Sequence, residues 1–334
     1  MSTSRYGIIT SILLILCGLL ASAGAAEAAI CRWIGASPDP RWSTAANWTN
    51  CEGRAPRTND SLVFPQASPW PANENDIADL ELTTVTIEER GGAGAVPYDI
   101  TGRAIRPRQI IVMTAPAPGA GTVLRLPVRM LQAVNGFADI VVGPGTTLSF
   151  IGPLTSSPNS TSDIKGLVQV SGRGTATLSN SANDWSTLAV MDATVRLGAA
   201  GVVPDAARLV LAGMATFDLN DMNETIGRLA ASPNDAVRIL LGAGTLTLAP
   251  DQATAFAGII SGRGGVVKNG AALVLNRSLV APGPNTYTGT TIVNAGSVKL
   301  AHDDRTVCIP GPLVVNMAAS WNWEETTRSP TRRR

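Results

Sequence analysis

Short runs that alternate apolar and polar residues recur along the chain. They occupy Leu80–Ile87, Gln109–Met113, Thr122–Val128 and Thr146–Ile151, with clusters of Gly and Pro between them. An apolar side chain at every second position is typical of a strand with one buried face. No convincing amphipathic helix of ten or more residues interrupts the pattern, so the sequence predicts an all-β chain.

From Gly166 onward the same elements recur in the same order. Residues 172–178 (GRGTATL) match residues 242–248 (GAGTLTL) at five of seven positions, and NDWS at 183–186 is echoed by NTYT at 285–288. Each copy continues with a strand, an apolar-Pro turn and a second strand: Ala193–Leu197, Val203-Pro204 and Leu209–Leu211 in the first, Gly296–Leu300, Ile309-Pro310 and Leu313–Val315 in the second. The order of these elements indicates an internal repeat.

Strands of four or five residues bury too little apolar surface to offset their own ordering entropy. Stacking each strand on its counterpart in the next turn pairs its backbone and covers its apolar face. Only 4% of the residues are aromatic, which favours a narrow interior. Gly supplies the tight corners, and Asn and Thr at equivalent corners can form side-chain ladders. These features predict a right-handed parallel β-helix, a β-solenoid.

The beginning of the predicted solenoid has a different composition. Trp33, Trp42, Trp48 and Trp70 are four of the seven tryptophans, and three of them lie within Cys31–Phe64. A stacked fold needs an end cap, because its terminal turn otherwise exposes an apolar face. We therefore expect a Trp-rich N-terminal cap. The alternative is that Trp33, Trp42 and Trp48 form a platform that stacks a carbohydrate ligand.

The first residues have the pattern of an export signal. Arg5 is followed by the apolar stretch Ile8–Leu20 and by small residues at Ala21–Ala29, with the expected cleavage after Ala28. The apolar stretch is shorter than the roughly 20 residues of a spanning helix. We expect a mature chain that is exported to the periplasm, cell surface or medium and has no membrane span.

Removal of the leader leaves three cysteines. Cys31 and Cys51 are close in sequence, and export permits a disulfide, so we expect them to pair. Cys308 is then left over as a buried thiol. The sequence contains no C-x-x-C, which argues against a zinc site built from thiolates.

Few residues suggest catalysis or a cofactor. His302 is the only histidine, and Asp218, Asp221 and Glu224 form the only acidic cluster within the repeats. Polysaccharide-cleaving β-helices use clustered carboxylates, so this cluster is the basis of an enzyme alternative. The net charge of +1 implies no nucleic-acid partner. We expect no enzyme, no cofactor and no metal; a secreted carbohydrate-binding module is the other alternative.

The later repeats resemble the passenger-associated strand repeat of bacterial autotransporters. The stretches that resemble it are TFDLNDMNETIGRL (216–229), GAGTLTL (242–248), FAGIISGRGGVVKNGAALVL (256–275) and NTYTGTTIVNAGSVKL (285–300). The residues that fall on the family pattern are Gly258, Gly262, Gly264, Gly265, Lys268, Gly270, Asn285, Tyr287, Gly289, Thr291 and Gly296. The resemblance implies a right-handed β-helix displayed or released outside the cell, with adhesion to an extracellular surface or glycan as a common role.

The same family carries a C-terminal translocator barrel, for which this chain has no matching segment. The organisation expected is a signal peptide (1–28), a Trp/Cys-containing cap (29–70), irregular solenoid turns (71–165), strand repeats (166–317) and an aberrant, disordered tail (318–334). A tail that leaves the repeat abruptly suggests a truncated or frameshifted passenger.

Overall fold

The computed structural model describes residues 28–113, 119–132, 138–157, 165–276, 279–280, 283–301, 307–316 and 319–323. Within these ranges the regular structure consists of 30 strands and one 3-10 turn at Ala45–Asn47. None of the described segments is a helix long and apolar enough to cross a membrane. The prediction of an all-β chain is confirmed.

The described strands belong to three sheets. The 16-stranded sheet contains β1 Ile30–Trp33, β2 Trp48–Thr49, β3 Ser61–Phe64, β5 Leu80–Glu88, β7 Ile105–Met113, β9 Val128–Leu131, β10 Ala138–Val142, β12 Leu154–Ser157, β13 Leu167–Ser171, β15 Thr187–Met191, β17 Arg208–Ala212, β20 Arg228–Ala231, β23 Thr254–Ala257, β26 Leu273–Asn276, β28 Gly296–Ala301 and β30 Ala319–Trp323. The 9-stranded sheet contains β4 Ala72–Asn75, β6 Tyr98–Gly102, β8 Thr122–Leu124, β11 Thr147–Phe150, β14 Thr175–Leu178, β16 Thr194–Leu197, β18 Thr216–Asp218, β21 Arg238–Leu240 and β24 Ile259–Ser261. The 5-stranded sheet contains β19 Glu224–Ile226, β22 Leu246–Leu248, β25 Val266–Lys268, β27 Thr291–Val293 and β29 Leu313–Val315.

From β17 to β25 the chain visits the three sheets in rotation, as is typical of a parallel β-helix, whereas the strands before β17 lie only in the 16- and 9-stranded sheets. Strands β20, β21 and β22 lie in the 16-, 9- and 5-stranded sheets, and β23 then returns to the first sheet beside β20. The strand pairs of the described region are parallel except β1 with β2, which pair antiparallel in the cap. The molecule is thus a β-solenoid of about ten turns.

Stacked apolar side chains form the core between the three sheets. In the 16-stranded sheet, Val168, Leu188, Leu209 and Leu229 occupy one register position in four consecutive turns. Each of these side chains is at most 1% exposed. Because similar branched side chains lie above one another, each short strand shares the core of its neighbours.

The turns before Gly166 belong to the same solenoid as those after it. Strand β10 pairs with β7 on one side and with β13 on the other, over four residue pairs each. Strands β5 and β7 are irregular in one respect, because each is long enough to cover two faces of its turn. Ile105 in β7 pairs with Val128 in β9, and Ile110 in the same strand pairs with Ile140 in β10.

Buried polar side chains connect turns on the face between β12 and β19. Asn183 accepts a hydrogen bond from Leu154 N (2.8 Å) and donates one to Val202 O (2.9 Å). The carboxylate of Glu224 accepts from the N–H groups of Val202 and Val203 at 2.9 and 3.3 Å. These contacts satisfy backbone groups that a strand partner would otherwise satisfy.

The repeated asparagine has the same role at both positions. Asn285 accepts from Ile260 N (2.8 Å) and donates to Cys308 O (2.7 Å), as Asn183 does in its own copy. Both side chains are at least 94% buried, and the aromatic residues two positions later, Trp185 and Tyr287, are buried as well. At an outer corner, Asn269, Asn294 and Asn316 form the predicted side-chain ladder, with amide contacts of 2.9 and 2.6 Å.

The sequence repeat does not coincide with a single sheet of the solenoid. The sequence-similar strands do not stack on each other: β14 pairs with β11 and β16, whereas its counterpart β22 lies in another sheet. The counterparts β16 and β28 also lie in different sheets, the 9-stranded and the 16-stranded one.

Regular strand structure extends past residue 318, the predicted start of the tail. Strand β30 (Ala319–Trp323) pairs in parallel with β28 over five residue pairs, so the solenoid continues past that point. Its sequence, ASWNW, alternates apolar and polar residues as the earlier strands do. The rest of the predicted tail lies outside the described residues, as does His302.

Candidate functional site

The three cap tryptophans form part of an aromatic cluster at the start of the core. Trp33 and Trp42 are fully buried and Trp48 is 5% exposed. Trp48 packs edge-on against Trp33 and Trp42, with ring centroids 5.0 and 5.9 Å away. Phe64 contacts all three indoles at centroid distances of 5.5 to 6.3 Å.

The indole N–H groups of this cluster donate hydrogen bonds to other groups of the protein. Trp33 donates to Trp70 O (3.1 Å), Trp42 to the side chain of Asn73 (2.7 Å) and Trp48 to Trp42 O (2.9 Å). A sugar-stacking platform needs exposed ring faces, which these three side chains lack. Trp33, Trp42 and Trp48 occupy the position of an end cap, and their burial gives the ligand-stacking prediction no support.

The cysteines near the cap are joined in the structure. Cys31 and Cys51 form a disulfide with their Cα atoms 4.5 Å apart, and Cys308 is buried elsewhere in the core. With Asp60, the two disulfide sulfurs form the one group of three possible metal-ligating residues found within the described part of the chain. Because both sulfurs are bonded to each other, this group does not have the thiolates of a metal site.

The carboxylates of the acidic cluster considered for polysaccharide cleavage bind groups within the protein. Asp218 pairs with Arg196 Nε at 2.8 Å and accepts from Asn220 N at 2.9 Å. Asp221 accepts from Ala243 N at 2.7 Å, and Glu224 accepts from the chain of the preceding turn. Burial raises the pKa of Glu224 despite these hydrogen bonds. Each carboxylate has a structural partner of its own.

A groove lined by arginines lies on another face, in the early turns of the solenoid. Its volume is about 410 Å³, and its walls come from Ala78, Asp79, Arg103, Ala104, Arg106 and Arg129. Three stacked segments supply these residues, since Leu80 pairs with Ile105 and Ile105 pairs with Val128. Gly102, at φ +103°, makes the corner before β7 that turns Arg103 outward; Arg103 is exposed.

Intramolecular contacts hold the arginines beside the groove. Arg106 donates to Asp79 O at 3.1 Å, and its Nε lies 3.7 Å from the carboxylate of Glu81, beyond hydrogen-bond distance. That Nε has no hydrogen-bond partner within the described residues, although it is inaccessible to solvent. Arg129 donates from Nε to Ser157 Oγ at 2.9 Å. Asp79, the one carboxylate in the lining, is 86% exposed at its side chain.

The lining is a concave surface with three arginines and one aspartate, and exposed Arg108 lies two residues beyond Arg106. Arg106 is ion-paired within the protein, with Asp79 at 3.4 Å and with Glu81 at 3.7 Å. Guanidinium groups bind carboxylate, sulfate and phosphate through paired N–H donors. Stacked turns lie about 4.8 Å apart, so Arg106 and Arg129 present their charges as a row. Such a row suits a ligand with repeated anionic groups.

Comparisons of the chain with models of protein families, with curated proteins and with solved structures give no match.

Sequence reasoning did not identify the arginine-lined groove. The overall charge of +1 conceals it, and Arg103, Arg106 and Arg129 lie in the part of the chain without an evident repeat. One signal was present: Arg106 and Arg129 are 23 positions apart, close to the 22 positions that separate the paired residues Arg196 and Asp218 of adjacent turns. This spacing indicates neighbouring positions in adjacent turns only when the number of residues per turn is already known.

Proposed function

We propose that the chain is an exported β-solenoid scaffold of the autotransporter-passenger kind, which adheres through the arginine-lined groove to an anionic glycan. The solenoid supports the scaffold role, because a rigid stack of turns presents surface residues in fixed rows. The export signal at 1–28 and the repeat resemblance support a location outside the cell. The observation that carries the adhesive role is the convergence of Arg103, Arg106 and Arg129 on one groove.

The chemistry of the groove favours polysaccharides with carboxylate or sulfate groups. Arginine pairs with such groups by two parallel hydrogen bonds, which a neutral sugar cannot provide. The aromatic stacking that neutral glycan sites use is not available from the buried cap tryptophans. A contact made mainly by exposed charges should weaken as the salt concentration rises.

Binding of the exported chain to immobilised heparin, polygalacturonate and dextran tests the proposal. We expect the two anionic polysaccharides to bind and dextran not to bind. The double variant R106Q/R129Q should bind at least about tenfold more weakly, because each lost charge-assisted contact is worth about 1.5–3 kcal/mol. The matched control is R238Q/R263Q, which removes the same charge from two exposed arginines away from the groove.

The outcomes separate the possible roles. Equal weakening in both double variants would show general charge attraction and would contradict a specific groove. Failure of both anionic polysaccharides to bind would also count against it. New reducing or unsaturated ends during the incubation would favour the polysaccharide-cleaving alternative, and loss of that turnover in Asp218→Ala would place it at the acidic cluster.

A further inference from the structure

A buried carboxylate within the cap accepts a hydrogen bond from the backbone N–H of Ala29. Asp60 is fully buried, and it accepts from Ala29 N through Oδ1 at 2.8 Å and from Arg57 N through Oδ2 at 2.9 Å. The guanidinium of Arg54 reaches both oxygens, at 2.6 and 3.1 Å. Burial alone would raise the pKa of Asp60, but these donors hold it below the ordinary value.

Ala29 is the first buried residue of the described chain. Its N–H is bound by Asp60, its C=O accepts from Ser61 N at 2.9 Å, and its side chain is 91% buried in the core cluster. Ala28, one residue earlier, is exposed. Exposed Ala28, buried Ala29, exposed Ile30 and buried Cys31 follow the alternation of a strand, and the small-residue pattern of the leader places the cleaved bond between Ala28 and Ala29.

We propose that a leader peptidase hydrolyses the Ala28–Ala29 bond and that Asp60 then binds the new α-ammonium group of Ala29 as an ion pair. Water supplies the oxygen of the Ala28 carboxylate, and the released amine of Ala29 takes up a proton. The peptide N–H, a single neutral donor, is replaced by a cation with three donors at the same position. Removal of the leader thus strengthens the contact that fixes β1 to β3.

The surroundings of Asp60 suit an additional cation. The hydrogen bond from Ala29 N already points at Oδ1, and exposed Ala28 marks where the other two ammonium protons meet solvent. Arg54 brings a positive charge to the same carboxylate, but Glu52 accepts from both Arg54 and Arg57, at 3.2 and 3.3 Å. Glu52 therefore offsets part of the repulsion between the cations. A hydrogen bond with two charged partners is about twice as strong as a neutral one.

The first test is to export the full-length chain and to determine its N-terminus by intact mass and N-terminal sequencing. We expect Ala29 as the first residue. The α-amine is then acetylated, with mass spectrometry to verify that no lysine is modified. Acetylation keeps an N–H at this position, as in the uncleaved chain, and removes only the charge. The folding equilibrium constant of the acetylated protein should fall by about tenfold or more.

Asp60→Asn supplies the matched control, because it keeps the shape of the side chain and removes its charge. In that variant acetylation should change the equilibrium constant by less than about twofold. A different N-terminal residue would overturn the proposal, and so would an acetylated wild-type protein of unchanged stability. An equal loss in Asp60→Asn would also overturn it. If Asp60→Asn does not fold, the proposal is tested by the identity of the N-terminal residue and by the stability of the acetylated wild-type protein.

Discussion

Lys268 is fully buried, and none of its hydrogen-bond partners in the described chain is a carboxylate. It is 1% exposed, and its Nζ donates to the backbone C=O groups of Asn269, Gly270 and Ala295 at 2.9, 3.0 and 3.1 Å. Burial disfavours the ammonium form and lowers its pKa. The resemblance to the passenger repeat marked this lysine as part of a pattern. The structure adds a physical role: it binds carbonyls from two neighbouring turns.

The lowered pKa of Lys268 predicts a dependence of stability on pH. Above the folded-state pKa and below the unfolded value of about 10.4, the unfolded chain binds the extra proton. Stability therefore rises with pH in that window, by at most about 1.4 kcal/mol per pH unit. Denaturant unfolding of the wild type and of Lys268→Met between pH 7 and 10.5 checks this. The free energy of unfolding of the wild type should increase relative to the variant as the pH rises; a constant or falling difference would contradict the prediction.

The sequence predicted which residues recur at equivalent positions, but it did not predict which groups they bind. The echo of Asn183 in Asn285 was visible, but the two hydrogen bonds of each amide go to residues 19 to 29 positions away. Those partners follow from the stacking register, which no local pattern contains. The same limit applies to Asp60, whose partner Ala29 lies 31 positions earlier in the chain.

At the scale of the elements, glycines of adjacent turns lie against one another at the corners between strands. A Cβ added to Gly264 would collide with the carbonyl oxygen of Gly244, one added to Gly289 with that of Gly264, and one added to Gly311 with that of Gly289. The obstacle in each case is backbone, which cannot rotate away as a side chain can. Close approach of the chain, as well as turn conformation, thus explains why Gly recurs at these places.

Gly264→Ala should therefore destabilise the protein by at least about 3 kcal/mol, because the new methyl group displaces the backbone of the neighbouring turn. Gly145→Ala is the matched control. Gly145 has φ +74°, but a Cβ there meets nothing within 4 Å. It should lose only the roughly 1–2 kcal/mol that a left-handed conformation costs a residue with a side chain. Urea unfolding of both variants measures the two values, and similar losses would refute the steric explanation.

The alternating pattern predicted most strands and failed at prolines and corners. Leu80–Ile87 is found as β5, one residue longer, whereas Thr122–Val128 was expected as one strand and is two. The chain turns a corner at 125–127, where Leu126 is buried although it lies outside both strands. Conversely, β7 continues through Pro107 and starts four residues before the predicted Gln109. Alternation reveals which residues point inward, but it does not reveal where the chain changes face.

At the scale of the whole molecule, stability is expected to be a sum of turns and of contacts between adjacent turns. Each turn in the described stack pairs with the one before it and the one after it, and the aromatic cap covers the first. The disulfide joins Cys31 to Cys51 within the cap alone. A defect in a central turn should therefore loosen its neighbours and leave distant turns folded.

Asn183→Ala tests this locality, because Asn183 connects its own turn to the turns before and after it, beside the isolated bridge between Thr155 and Asp184. The variant leaves Leu154 N and Val202 O without their side-chain partner, at a cost of about 1–3 kcal/mol. Hydrogen exchange followed by mass spectrometry should show faster exchange in β12, β13, β15 and β17, and unchanged exchange in the cap strands β1–β3 and in β27–β29. Asn234→Ala, in an exposed turn, should leave all of these strands unchanged. Uniformly faster exchange from the cap to β29 would mean that the stack unfolds as a single cooperative unit, because only then does the loss of one contact between turns reach every strand.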